Sequence, residues 1–279
     1  MPVLRADGLD VVRLVRRPAS SADERGWDPD RGSLDPAHLA GADAVVNLAG
    51  ANIGSRRWST RFKERLRSSR VNPTATLARA IVELPATDRP RVMINASGID
   101  YYGDTGDRPV TEDSPAGEGF LAEMCRIWEA ATAPAERAGV RVVHLRTGFP
   151  LAVDGGLLKP MLIQFHLFAG GRMGTGRQFI PWISIVDWVG AVSFLRDHEV
   201  AGPVNVCGPD PVRNAEFART LGRVLHRPSF WPIPGIAFRI ALGEFGSEAL
   251  ASRRALPGAL TRAGYPFQHR DLESALRHR

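Results

Sequence analysis

The residues predict an α/β protein: a doubly wound parallel sheet covered by helices, with a smaller region attached on its carboxyl side. Three observations predict it. Short apolar runs alternate with segments of helical period through the first half of the chain. Those runs look buried on both faces, as strands of a parallel sheet are. After residue 148 the alternation loosens and closely spaced glycines punctuate the chain instead.

Taken in order, Asp10–Val15 (DVVRLV) reads as a strand, followed by a polar loop. Ala42–Leu48 (ADAVVNL) is a second, apolar strand ending in small residues. The spacing predicts a helix over residues 59–70. Pro73 interrupts it, and Thr74–Leu84 resumes with Leu77, Ala80, Ile81 and Leu84 on one face. Arg91–Asn95 is a third strand, closed by Ala-Ser-Gly. Residues 103–119 form a polar loop rich in glycine and proline. Leu121–Ala138 is a helix ended by Gly139, and Val140–Leu145 is a fourth strand. Turns at Gly155-Gly156, Gly170-Gly171 and Gly174–Gly176 separate shorter segments. Val186–Leu195 reads as a helix returning to the first region. Pro203–Val206 reads as a strand, and Ala215–Leu225 as a helix that Asn214 caps. Pro228 to Pro234 shows no period.

Composition narrows the function classes. The chain has 279 residues, 44% hydrophobic and 24% charged, which suits a globular fold with a sizeable core. No apolar run is long enough to span a bilayer, and Arg5, Asp7 and Asp10 break any signal-peptide pattern, so no membrane contact and a cytoplasmic location are expected. Cys125 and Cys207 are too few for a disulfide scaffold. The seven histidines are scattered without ligand spacing, so no metal is expected. No G-x-S-x-G elbow occurs. The net charge is +6, almost all of it from arginine. The densest basic stretch, Arg56 to Arg70, suits a solvated helix face, and no nucleic-acid partner is expected.

A doubly wound domain that binds a dinucleotide opens with a strand, a glycine-rich turn and a helix, whose N-terminus holds the pyrophosphate. Here the first glycines are Gly8, Gly26 and Gly32, and no G-x-x-G-x-x-G occurs. Val3 to Gly8 reads as the last turn of a helix with its glycine cap. The chain is therefore expected to begin inside a βαβ unit, lacking the first strand and its glycine turn. Arg16 and Arg17 follow the strand whose end faces the adenosine ribose in such folds. An acid there binds a 2′-hydroxyl and an arginine accommodates a 2′-phosphate, so NADP (NADPH) is expected, with NAD the alternative. Asn47, Leu48, Ala49 and Gly50 end the next strand, where small residues let the backbone approach a cofactor, and Arg70 is placed similarly. On the glycine-rich side Arg177, Gln178 and Trp182 offer a guanidinium fork and a stacking face to an anionic or sugar-like substrate.

Several segments follow one another in a familiar order: DAVVNLAG at 43–50, SRVNPT at 69–74, ASGIDYYG at 96–103, FLAEMCRIWE at 120–129, LRTG at 145–148, GTGRQ at 174–178, WISIVD at 182–187 and GPVNVCGPDPVRNAEF at 202–217. This series resembles the atypical extended short-chain dehydrogenase/reductase group known as the epimerase family (YfcH-like), including its DUF1731-type C-terminal segment. The likeness runs from residue 3 to about residue 276. The resemblance implies an NAD(P)-binding Rossmann-like domain over 1–148 with about 183–200. It implies a substrate-side domain over 149–182 and 201–279, and cofactor contacts from Ala96, Arg146 and Thr147. It also implies a small-molecule or nucleotide-linked substrate and, as the assembly such folds allow, a homodimer.

The same resemblance implies a serine that orients the substrate oxygen, and a tyrosine activated by a lysine four residues on. Ser97 fits the first. The tyrosines are Tyr101, Tyr102 and Tyr265, the lysines Lys63 and Lys159, and no Tyr-x-x-x-Lys exists. Alignment puts the tyrosine position at or next to Leu121 and the lysine position near Cys125. Ser97, Tyr101 and Tyr102 remain as the catalytic candidates. An NADP-dependent oxidoreductase or epimerase-like protein without the standard relay is expected. A non-catalytic NADP-binding sensor is the alternative.

Overall fold

A computed structural model of the chain describes Arg5, residues 8–156 and residues 158–278. The expected helix end at Val3–Gly8 lies mostly outside those residues. Its glycine is described and has φ +78°, with its N–H bonded to the Arg5 carbonyl.

Among the described residues twelve strands occur in chain order. β1 is Arg13–Val15, β2 Glu24–Gly26, β3 Ala44–Asn47, β4 Val92–Gly98, β5 Pro109–Val110 and β6 Arg141–Thr147. β7 is Phe149–Pro150, β8 Phe179–Ile180, β9 Trp182–Ile183, β10 Gly202–Val206, β11 Val212–Arg213 and β12 Arg254–Ala255. The central sheet has the order β10-β6-β4-β3 and is parallel throughout. Its register runs Asn47↔Asn95↔His144 across the middle. β1 and β2 form a separate parallel pair, so part of the expected polar loop is strand. β3 is therefore an edge strand, and Val46 on it is 40% exposed.

The helix after β3 runs unbroken from Thr60 to Glu83, through Pro73. The sequence predicted an interruption, because an internal proline costs about 3 kcal/mol. Phe62 and Leu66 before it, and Leu77 and Ile81 after it, are all buried. Each such burial is worth roughly 1.5–3 kcal/mol, so packing outweighs the lost hydrogen bond. Ser59 begins the helix by accepting from the Phe62 N–H. The expected single helix over 121–138 divides instead into Phe120–Ala130 and Ala133–Arg137, because Pro134 is admitted in a first turn.

The loop 103–119 carries β5, which pairs with β12 from near the C-terminus. Gly117 lets the loop close, since a Cβ there would collide with the Tyr102 carbonyl. Beyond β6 a second core forms from Leu158, Phe165, Trp182, Phe217, Leu221 and Leu276. Gly202–Val206, which the sequence assigned to the substrate side, is hydrogen-bonded to β6 in the central sheet. Leu260 and Tyr265 pack into the core of that sheet with the helix Ile185–Asp197. Asn214 does not act as a cap. Its side chain is buried and its Oδ1 accepts from the Met173 N–H at 2.7 Å, tying the glycine-rich loop to the helix Asn214–Leu225. Among the described residues no helix is long and apolar enough to cross a membrane.

Candidate functional site

The carboxyl ends of β3, β4 and β6 converge, and in open α/β sheets this is where ligands bind. β4 ends in Asn95-Ala96-Ser97-Gly98 and β6 in Leu145-Arg146-Thr147. Their register sets Ser97 directly beside Arg146. Both side chains meet Glu129 from the helix Phe120–Ala130. The Ser97 hydroxyl donates to Glu129 Oε1 at 2.7 Å. Arg146 donates through Nε to Oε1 at 2.9 Å and through a terminal nitrogen to Oε2 at 2.8 Å. Burial works against the Arg146 charge, but the bonds to Glu129 outweigh it and hold the guanidinium above its ordinary pKa.

The network continues inward. The other terminal nitrogen of Arg146 donates to the Tyr102 hydroxyl at 2.9 Å, and that hydroxyl donates to Asn205 Oδ1 at 2.8 Å. The Asn205 N–H donates to Glu112 Oε1 at 2.9 Å, which links β10 to the loop after β5. Tyr102 is 1% exposed, and burial pushes its phenol up to about 12. Its hydroxyl is a bonded, buried group. Tyr101 differs. It is half-buried, its ring lies 3.4 Å from the Arg146 guanidinium carbon, and its hydroxyl makes no hydrogen bond among the described residues. Beside this cluster His144 faces Glu129 and Glu136 and bonds Thr132 Oγ1. Burial lowers its pKa.

The helix Phe120–Ala130 presents Leu121 and Cys125 one turn apart on its buried side. Where a lysine would approach Gly98 stands the Cys125 thiol, which burial pushes up to about 12. No proton relay runs through these two positions.

At the end of β3, Asn47 is buried. It donates to Thr74 Oγ1 at 2.9 Å and Asn95 Oδ1 at 2.7 Å, and accepts from the Ala49 N–H, fixing the turn. Leu48 and Gly50 are exposed along that turn. Arg70 lies against Gly50, spans to the carbonyls of Leu66 and Ala51, and stacks over Trp128 at 5.2 Å. It has no carboxylate partner among the described residues, its Nε is unbonded, and burial lowers its pKa. Arg16 pairs with Asp30 at the surface, and Arg17 grips Glu24 through both terminal nitrogens at 2.6 and 2.8 Å.

The substrate candidates fall apart in space. Trp182 is buried, with its indole N–H on the Asp210 carbonyl at 2.8 Å. Gln178 braces the Met173 carbonyl, and Arg177 stands at the surface of the glycine-rich loop. Thr147 accepts a long bond of 3.2 Å from the Trp188 indole, and Ala96 sits half-buried between Asn95 and Ser97. Glu129 is not among the residues the sequence singles out, since an acid on a helix is by default a solvated one. The i, i+4 spacing from Leu121 through Cys125 to Glu129 was the signal that all three share one face. Sequence reasoning also missed Asp100 and Glu248, which share the buried Arg253 at 3.0 and 2.8 Å. Among the described residues no three histidine, cysteine or acidic side chains converge as a metal site.

Residues 233–278 match the family described as a domain of unknown function, DUF1731. An epimerase family protein of Mycobacterium leprae is 46% identical over 98% of this chain and 88% of its own length. Among solved structures, the human epimerase family protein SDR39U1, crystallised with NADPH, is 32% identical. It superposes with a TM-score of 0.91 over 99% of this chain and 92% of its own. A nucleoside-diphosphate sugar epimerase of Corynebacterium glutamicum is 36% identical with a TM-score of 0.78, and the match spans 53% of that longer protein.

Proposed function

We propose, from the premise that this chain belongs to the epimerase family of atypical extended short-chain dehydrogenases/reductases, that it is an NADPH-dependent oxidoreductase or epimerase-like protein. Its substrate would be a small or nucleotide-linked hydroxyl or carbonyl compound. The observation that carries this reading is the Ser97–Glu129–Arg146 cluster at the carboxyl ends of β4 and β6.

The residues present fit the cofactor at its two ends. Arg16, whose surface ion pair is weakly held, would meet the 2′-phosphate. The turn Asn47–Gly50, with Arg70 behind it, would border the cofactor beyond β3. The pyrophosphate-binding glycine turn is not among these residues. When bound, the nicotinamide supplies or accepts a hydride. Ser97, which donates to Glu129, accepts a hydrogen bond from the substrate hydroxyl through its free lone pairs. Glu129 receives the proton of the substrate hydroxyl through Ser97, and Arg146 holds that carboxylate in place. Tyr101 supplies a second hydroxyl at the same strand ends.

Titration of NADPH fluorescence with the purified protein tests the reading, with NADH in parallel. Saturable NADPH binding that Arg16→Ala weakens by about tenfold, a loss of roughly 1.4 kcal/mol, supports it. Equal affinity for both nucleotides, unchanged by Arg16→Ala, refutes the 2′-phosphate assignment. A non-catalytic sensor is the second reading, favoured by Leu121 and Cys125 at the relay positions. Oxidation of bound NADPH on adding carbonyl substrates of the nucleotide-sugar class separates the two.

A further inference from the structure

Exposed large apolar side chains concentrate in neighbouring stretches of the second region. Leu167, Phe168, Phe230, Trp231, Ile236 and Ile240 are each between 57% and 72% exposed. They come from three stretches that the backbone ties together. The Trp231 N–H donates to the Gly170 carbonyl at 3.2 Å, the Ile233 N–H to the Arg172 carbonyl at 2.9 Å, and the Gly174 N–H to the Ile233 carbonyl at 2.9 Å. The rings of Phe230 and Trp231 lie 5.4 Å apart. Ile236 and Ile240 are one turn apart on the helix Gly235–Leu242. Phe168 is held at φ +60°, a conformation a phenylalanine rarely adopts. Six large apolar groups so exposed on stretches tied together by the backbone exceed the scattered exposure of an ordinary surface.

The two stretches that carry these side chains are themselves free of acidic residues. Between Asp154 and Asp187, and again between Glu216 and Glu244, the chain carries no acidic residue. Those two stretches supply the whole patch. They also supply Arg172, Arg227 and Arg239, none of which forms an ion pair among the described residues. The Arg227 guanidinium lies 4.7 Å from the Phe168 ring centre. Aromatic and aliphatic side chains rimmed by unpaired arginines match the surface of an anionic bilayer. There the rings and isoleucines enter the headgroup boundary while the cations meet lipid phosphates.

We propose that this face is a peripheral docking surface for an anionic membrane. The occupant is a lipid surface carrying phosphate headgroups. A second copy of this chain would bring the same uncompensated cations against one another. That no helix among the described residues is long and apolar enough to cross a membrane does not bear on this contact, because the patch is assembled from segments far apart in sequence.

Co-sedimentation with vesicles tests it. The protein is spun with vesicles of phosphatidylcholine alone and of phosphatidylcholine mixed with phosphatidylglycerol. Binding to the mixed vesicles, absent from the neutral ones and weakened by salt, is expected. The double variant Ile236→Ser/Ile240→Ser removes exposed groups and leaves the cores intact. It should lower vesicle affinity by about tenfold or more. Arg227→Gln should weaken binding to the anionic vesicles and flatten its salt dependence. Failure to bind mixed vesicles overturns the proposal, as does binding that both variants retain in full. A concentration-dependent dimer that the isoleucine variant abolishes, without vesicle binding, assigns the face to a second copy and equally overturns it.

Discussion

Replacing Arg146 with methionine probes the centre of the candidate site. The arginine is 3% exposed and donates three hydrogen bonds, two to Glu129 and one to Tyr102. Methionine keeps most of the volume, so the cavity contribution is small. What remains is a buried carboxylate with Ser97 as its surviving donor from this network. Breaking a buried ion pair from one side costs about 3–5 kcal/mol. Each kcal/mol moves the melting midpoint of a chain this size by about 2–4 °C, so a drop of roughly 6–20 °C is expected. Thermal unfolding followed by circular dichroism reads it. The double variant Arg146→Met/Glu129→Leu removes both charges and should regain most of the loss, because an apolar pair replaces a buried ion pair at little net cost. A loss below about 1 kcal/mol in the single variant would mark the pair as a surface contact and refute this account. So would a double variant as unstable as the sum of its singles.

Glu24 and the cysteines give two further tests. The Glu24 carboxylate has none of its side-chain surface exposed, and the bond from Arg17, reinforced by Ser20, holds its pKa down at about 2. A depressed acid stabilises above its unfolded pKa and loses that contribution as pH falls toward its folded one. The melting midpoint should therefore fall between about pH 4.5 and 2, and Glu24→Gln should flatten that decline; an unchanged acid limb refutes the assignment. Burial raises the pKa of both Cys125 and Cys207. Neither thiol should react with a disulfide reagent at mildly alkaline pH in the folded protein, and both should react after unfolding; rapid reaction of the native protein would contradict their burial.

The parallel sheet was legible because its strands are runs of β-branched and aliphatic residues, and their order in the chain leaves few arrangements. The helix through Pro73 and the division at Pro134 were not legible. One proline sits where flanking residues bury enough surface to override it, and the other stands where a first turn admits it. Neither outcome is written in local spacing. Asn214 illustrates the same limit at one residue. Its type and position suit a cap, yet its partner Met173 lies 41 residues away.

The candidate site divides in the same manner. Ser97, Tyr101 and Tyr102 could be picked out by their places after a strand, Arg146 came only from the family resemblance and as a cofactor contact, and the absence of a Tyr-x-x-x-Lys pair was simple arithmetic on the residues. Which phenol keeps a free hydroxyl could not be read, since Tyr101 and Tyr102 are neighbours and Asn205 lies 103 residues beyond. Glu129 did not stand out in the sequence because its partners come from two different strands. The apolar face gave no single strong run, since it is built by pairing the loop around Gly170 with the loop around Trp231. The sequence by itself determined the alternation of strands and helices, the chemistry available at the strand ends and the distribution of charge along the chain. These follow from residue type and near neighbours. The tertiary structure decided which polar groups satisfy one another and which stay free, because that depends on contacts between residues far apart in the chain.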